Sequence, residues 1–172
     1  MKNPIRKTYD WTLSLAKKKT ASIWLGIISF TEASFFPIPP DVLLIPLCLG
    51  KLRKAFTFAL ICSVASVLGG LAGYAIGAFA WDGLSPWFFQ YVPGFTEEKF
   101  ARIQDWYAEW GWPLVFLAGF SPIPYKIFTI ASGVLGMAFP QFLIASAISR
   151  SARFFIVAVL IAKFGEPMKV FI

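Results

Sequence analysis

The chain has 172 residues, 58% of them apolar and 18% aromatic, with a mean hydropathy of +0.68. This composition excludes an ordinary soluble domain and leaves room for one bundle of about four to six membrane-embedded segments, with no separate catalytic domain. The formal charge of +7 is spread over short loops, which suits anionic lipid headgroups and not nucleic acid, and the absence of histidine removes the commonest metal ligand and neutral-pH proton carrier.

In residues 1–19, Ile5, Tyr9, Thr12, Leu13 and Ala16 recur at helical spacing opposite Lys7, Asp10, Ser14 and Lys17. The pattern predicts an amphipathic helix on the cytoplasmic membrane surface. Lys2, Arg6 and Lys7 are followed by a mixed stretch and then by Lys17, Lys18 and Lys19, which is not a signal-peptide pattern; insertion is expected to rest on residues 20–172, read as a single membrane domain.

Residues 21–50 are apolar, yet Pro37, Pro39 and Pro40 remove backbone donors and clash with preceding carbonyls, so the helix is expected to break near residue 37. The part before the break reaches about 24 Å and the part after it about 15 Å, against a hydrocarbon core of about 30 Å. Lys17, Lys18 and Lys19 precede the stretch and Lys51, Arg53 and Lys54 follow it, so the positive-inside rule puts both ends on one side and predicts a re-entrant hairpin.

Residues 56–81 read as a spanning helix whose stripe of Ser66, Gly69, Gly73 and Gly77 serves helix packing. Cys48 and Cys62 lie in apolar stretches without metal or redox spacing and read as small buried hydrophobes. The stretch 82–110 mixes Asp82, Glu97, Glu98, Asp105 and Glu109 with Lys99, Arg102 and several tryptophans, which fits an interfacial segment on the outer face. Residues 113–138 repeat the earlier design, with Pro122 and Pro124 breaking an apolar run, and 139–165 form a last span.

Pro37-Ile38-Pro39-Pro40-Asp41 aligns with Pro122-Ile123-Pro124-Tyr125-Lys126, 85 residues further on. An odd number of crossings separates the first half, about 20–81, from the second, about 111–166, so the halves are expected to be inverted. The predicted fold class is an all-α polytopic membrane protein: an inverted repeat of two re-entrant helical hairpins, each followed by a transmembrane helix, plus interfacial amphipathic helices.

Five ionisable residues fall within apolar segments: Glu32, Asp41, Lys126, Arg150 and Arg153. Each costs about 2.5–3.5 kcal/mol at mid-bilayer on insertion scales, so each needs protein or water partners. Arg150 and Arg153 share a helix face and call for carboxylates or a bound anion; the plainer reading is a structural ion pair with Glu32 or Asp41. Asp41 suits the first turn of a half-helix, where capping alone would explain it. Glu32 has no such explanation and is the first candidate for a proton-binding carboxylate. Lys126 would either neutralise a phosphate or pair with a carboxylate.

These residues resemble the DedA family, also called the SNARE-associated Golgi or VTT-domain family, over roughly residues 20–165. The resemblance rests on the run from Glu32 through Pro37, Pro39, Pro40 and Asp41, the glycine run from Gly69 through Gly73 to Gly77, the stretch from Gly119 through Pro122, Pro124 and Lys126 to Gly133, and Arg150 with Arg153. It is closest to the YqaA-like branch. It implies two hairpins meeting in the membrane and lipid translocation, of undecaprenyl phosphate or phospholipid in bacterial members, with acidic residues of the first hairpin and arginines of the second half as the functional ones. Glu32 and Asp41 match the acidic pair. The chain departs from the family in the second hairpin, where Phe120 follows Gly119 in place of an arginine and Lys126 stands near a second arginine position.

The resulting expectation is a non-enzymatic flippase or scramblase in a bacterial inner membrane, with Lys126, Arg150 and Arg153 binding the headgroup and Glu32 and Asp41 coupling to protons. The expected partners are membrane lipids with anionic phosphate headgroups and protons, with a homo-oligomer left open; no cofactor, metal or nucleic acid is implied. The alternatives are a proton-coupled small-cation exporter and a non-transporting membrane scaffold or insertion factor.

Overall fold

The computed structural model describes residues 20–34, 38–91, 96–121 and 124–169, all helical or in short connections. The expected surface helix over 1–19 lies outside the described residues, as do Pro37 and Pro122.

Helix α1 runs over Ala21–Ser34 and α2 over Asp41–Gly50. A short 3-10 turn, Leu52–Lys54, leads into α3, Ala55–Ala75, which continues without interruption through a π-helical segment, Ile76–Ala80, into α4, Trp81–Tyr91. Then follow α5 (Glu97–Trp110), α6 (Trp112–Phe120), α7 (Tyr125–Val134) and α8 (Phe139–Lys169). Among the described residues two stretches are long and apolar enough to cross a membrane, Leu52–Trp87 with 36 residues and Phe139–Phe164 with 26. The four short helices α1, α2, α6 and α7 have 14, 10, 9 and 10 residues. At 1.5 Å per residue each falls short of a core of about 30 Å.

The helix expected to stop near residue 81 thus runs on to Tyr91. Charge and tryptophan place a segment at the interface but do not end a helix. Trp81 stacks on Phe100 with ring centroids 4.7 Å apart and meets Phe89 edge-on at 5.6 Å, which keeps α4 helical against α5. Helix α5 begins at Thr96, whose hydroxyl accepts from the Lys99 amide, and carries Glu97 and Glu98 in its first turn, where carboxylates suit the dipole. It buries Phe100, Ile103 and Tyr107 at spacings of three and four, and the Tyr107 hydroxyl donates to the Phe128 carbonyl at 2.9 Å, tying the interfacial helix to α7.

The short helices pack in a reciprocal pattern. In the first half α1 lies on α3, and in the second α6 lies on α8; the arms that follow the breaks cross over, α2 onto α8 and α7 onto α3 and its π segment. Close approach is achieved with small residues. A methyl group at Gly69 would strike the Phe30 carbonyl, one at Gly73 the Thr129 hydroxyl, and one at Gly77 the Ile130 carbonyl. Gly133 faces Gly77 in return, since a methyl there would strike the Tyr74 carbonyl. Gly119 meets the Ser149 side chain in the same way, where α6 crosses α8.

Two apolar clusters result. One gathers Leu25, Ile28, Leu43, Leu44, Phe58 and Phe154 around α1, α2, α3 and α8; the other gathers Phe100, Val115, Tyr125, Phe128, Ile130 and Phe142 around α5 to α8. Both free cysteines, Cys48 and Cys62, are buried in the first. The outward stripes of Leu60, Val64 and Leu68 on α3 and of Ile144, Ile148 and Ile156 on α8 are about half exposed, the expected state of side chains that face lipid tails. The protein is an all-α membrane protein with two long apolar helices.

Candidate functional site

The polar centre lies where α8 passes both helix breaks. Arg150 is buried, at 1% exposure, and is held on four sides. Its Nε donates to the Ser66 hydroxyl and its Nη2 to Glu32 Oε2, both at 2.6 Å. The guanidinium carbon stands 4.7 Å from the Tyr125 ring centroid and 5.0 Å from that of Phe154. Since Tyr125 belongs to one apolar cluster and Phe154 to the other, the guanidinium is sandwiched between the two clusters.

Three residues along the same face, Arg153 donates from Nη2 to Asp41 Oδ2 at 2.6 Å, and its Nη1 reaches the Ser121 carbonyl at 3.5 Å. This pair is more open: the Arg153 and Asp41 side chains are 25% and 21% exposed, against 1% and 15% for Arg150 and Glu32. The difference follows from position. Glu32 is in the last turn of α1, where a carboxylate opposes the helix dipole and needs a cation close by. Asp41 opens α2, where the dipole favours it, so its ion pair is less indispensable to the fold. Arg150 therefore grips the end of the helix before the first break and Arg153 the start of the helix after it. Through Ser121 the second arginine also reaches the second break.

Lys126, in the first turn of α7, is buried at 2% exposure, and Glu32 is near enough to act on it electrostatically. Thr129, one turn later, donates to the Lys126 and Ala33 carbonyls, joining α7 to the open end of α1. The five charges singled out in the sequence thus share one region, with three cations against two carboxylates. Two buried atoms of the cluster, Arg150 Nη1 and Asp41 Oδ1, have no hydrogen-bond partner among the described residues.

Pro39 and Pro40 lie just before α2 and Pro124 just before α7, so that the carbonyls of Pro40 and Pro124 accept the first bonds of those helices. Sequence reasoning did not find Ser66, Tyr125, Phe154 and Ser121. In the sequence Ser66 is part of a packing stripe, and no local pattern announces that its hydroxyl meets an arginine 84 positions away. Tyr125 and Phe154 look like ordinary membrane aromatics until their ring faces are seen against a guanidinium. Among the described residues no group of three His, Cys, Asp or Glu side chains converges to hold a metal.

The family model of the VTT domain matches residues 38–163. An uncharacterized protein of Haemophilus influenzae is 48% identical over 158 residues, which cover 92% of this chain and 81% of that one. An uncharacterized protein of Histophilus somni is 46% identical over the same shares. A more distant uncharacterized protein of Methanocaldococcus jannaschii is 27% identical over 127 residues, 74% of this chain and 75% of its own length. No solved structure matches the chain. Membership of the matched family is consistent with a membrane protein of the general lipid-transport type. The chain belongs to the VTT-domain family of membrane proteins.

Proposed function

We propose that the protein moves a phosphate-bearing lipid, a phospholipid or a polyisoprenyl phosphate such as undecaprenyl phosphate, across a bacterial inner membrane, with its N-terminus cytoplasmic. The observation that carries this reading is the half-open Arg153–Asp41 pair, which joins both helix breaks at a point the bilayer would otherwise close to charge. A guanidinium forms strong, directional bonds to phosphate, so a headgroup arriving there competes with Asp41 for Arg153. Release of Arg153 also frees the start of α2 and the Ser121 carbonyl, which couples headgroup entry to movement of both breaks. Arg150, by contrast, acts as the fixed anchor, since engaging a substrate with it means separating the two apolar clusters. Lys126 adds a third cation, and the surplus of formal positive charge favours an anionic headgroup.

The reciprocal packing of the short helices supports an inverted repeat in which each half's second arm leans on the other half's long helix. Rocking one half against the other exposes the site to alternate faces. Glu32 and Asp41 are the proton carriers in this scheme; Asp41 Oδ1, buried and without a donor among the described residues, is an oxygen on which a proton can sit while Arg153 is engaged elsewhere. That same buried oxygen, unpaired among the described residues, is the observation that favours small-cation export as a second reading.

Headgroup translocation in liposomes of defined lipid composition, read by a membrane-impermeant quencher, decides between them. Arg153→Ala is expected to slow translocation about tenfold or more, from the roughly 1.5–3 kcal/mol of a hydrogen bond to a charged group, and Asp41→Asn to slow it by removing the proton-carrying carboxylate; both are expected to leave the protein folded. Unchanged translocation in both variants would sink the proposal. Cation flux lost in Asp41→Asn and retained in Arg153→Ala would favour the second reading.

A further inference from the structure

Helix α7 begins without a side-chain cap, as α2 does, because Pro124 and Pro40 precede them. Both starts are held instead to one face of α8. Asp41, the first residue of α2, pairs with Arg153. Tyr125, the first residue of α7, donates its hydroxyl to Ser146 Oγ at 2.5 Å and lays its ring on Arg150, with 4.7 Å between the guanidinium carbon and the ring centroid. Ser146, Arg150 and Arg153 follow one another at four and three residues, the spacing of a single helix face.

The body of α7 packs on α3 and its π segment, so its start reaches α8 by side chain. Tyr125 makes that link at two points, and both it and Ser146 are buried. A buried phenol left without an acceptor is costly, so the Ser146 bond holds the ring in one orientation. The next residue is Lys126, which lies within electrostatic reach of Glu32, the partner of Arg150. A lysine is a flexible point charge and brings no fixed geometry of its own to an anion. The backbone that carries it has to supply that geometry.

We propose that Tyr125, acting through Ser146, is a positioning residue: it fixes the start of α7 against α8 and thereby sets the spacing between Lys126 and the arginine pair. An anionic headgroup that reaches both Lys126 and Arg153 then meets cations already in place, and less ordering is left for the moment of binding. The inference rests on the headgroup reading of the charge cluster. Tyr107 supplies the comparison. Its hydroxyl is also buried and bonded, to the Phe128 carbonyl, but it ties α5 to α7 one turn beyond the charges.

The experiment uses the full chain in phosphatidylcholine liposomes with graded mole fractions of a tail-labelled fluorescent phosphatidylglycerol, read by a membrane-impermeant quencher. Tyr125→Phe and Ser146→Ala are each expected to raise the half-saturating mole fraction about threefold to tenfold, the scale of ordering one side chain, with the maximal rate little changed. The double variant is expected to match the single ones, because both substitutions remove the same bond. Tyr107→Phe should keep the wild-type half-saturation. No rise in Tyr125→Phe and Ser146→Ala, or an equal rise in Tyr107→Phe, would overturn the proposal, since a merely structural tyrosine changes the amount of active protein and not its affinity. Hydrogen exchange at the Ile127 and Phe128 amides, in the first turn of α7, is the second readout. It is expected to quicken severalfold in Tyr125→Phe and Ser146→Ala whether or not lipid moves. A wild type that translocates no lipid sinks the transport reading, whereas unchanged exchange sinks the positioning role, so the two failures are told apart.

Discussion

Arg150→Ala is expected to destabilise the folded protein by about 3–5 kcal/mol, the range for removing one partner of a buried ion pair. The substitution leaves the Glu32 carboxylate without its cation in the last turn of α1, where the helix dipole already opposes it, and strands the Ser66 hydroxyl. It also empties the space between the Tyr125 and Phe154 rings. Thermal unfolding in detergent, followed by the loss of monodisperse protein, measures the effect. The double variant Arg150→Met with Glu32→Gln is expected to recover much of the loss, because an apolar or neutral replacement of both partners removes the unpaired charge. Arg153→Ala, which opens a partly exposed pair at a helix start, is expected to cost far less. If Arg150→Ala unfolds like the wild type, or Arg153→Ala unfolds as early as Arg150→Ala, the division into anchor and mobile arginine is wrong.

Gly77→Ala and Gly133→Ala are the second pair of large effects. At each position the added methyl meets backbone of the facing helix, Ile130 from one side and Tyr74 from the other, and backbone cannot rotate away as a side chain can. Overpacking of a tight core costs about 1–3 kcal/mol, and a backbone-on-backbone contact belongs at the upper end or above it. The π-helical segment Ile76–Ala80 is where this approach occurs, and its irregular turn brings Gly77 onto α7. Gly83→Ala is the control. That glycine is helical with open space around it, so alanine there is expected to be neutral or to stabilise by up to about 1 kcal/mol. Comparable destabilisation at all three positions would point to the loss of glycine as such and not to close packing between α3 and α7.

The two effects test different parts of one design. Glycines let the short arms approach the long helices, and the charges occupy the region where those arms are interrupted. A membrane interior offers no water to unpaired backbone or to an isolated charge, so broken helices and buried ions are tolerated only where they satisfy each other. Thr129 donating to the Ala33 carbonyl shows the principle on a small scale: an open helix end of the first half is closed by a side chain of the second.

Much of this was legible in the chain itself. Hydropathy and the lysine positions mark a membrane protein, the prolines mark where the helices are expected to break, and the 85-residue offset between Pro37 and Pro122 is the ground for proposing a duplicated design. The cost of charge in lipid singles out Glu32, Asp41, Lys126, Arg150 and Arg153 from the sequence alone. The helical period placed Arg150 and Arg153 on one face, because three residues make nearly one turn.

What the sequence left open was the pairing. Whether Arg150 met Glu32, Asp41 or a bound anion depended on how α8 crosses α1 and α2, and no local pattern encodes a crossing between segments more than a hundred residues apart. Nor did it distinguish Ser66 from the packing stripe, or Tyr125 and Phe154 from other aromatics, since a hydroxyl or a ring acquires its role from what the tertiary fold brings within reach. Solvation cost is a property of each residue in its segment and can be read along the chain. Partner choice is a property of contacts between segments, and here only the packing of α8 across both breaks decided it.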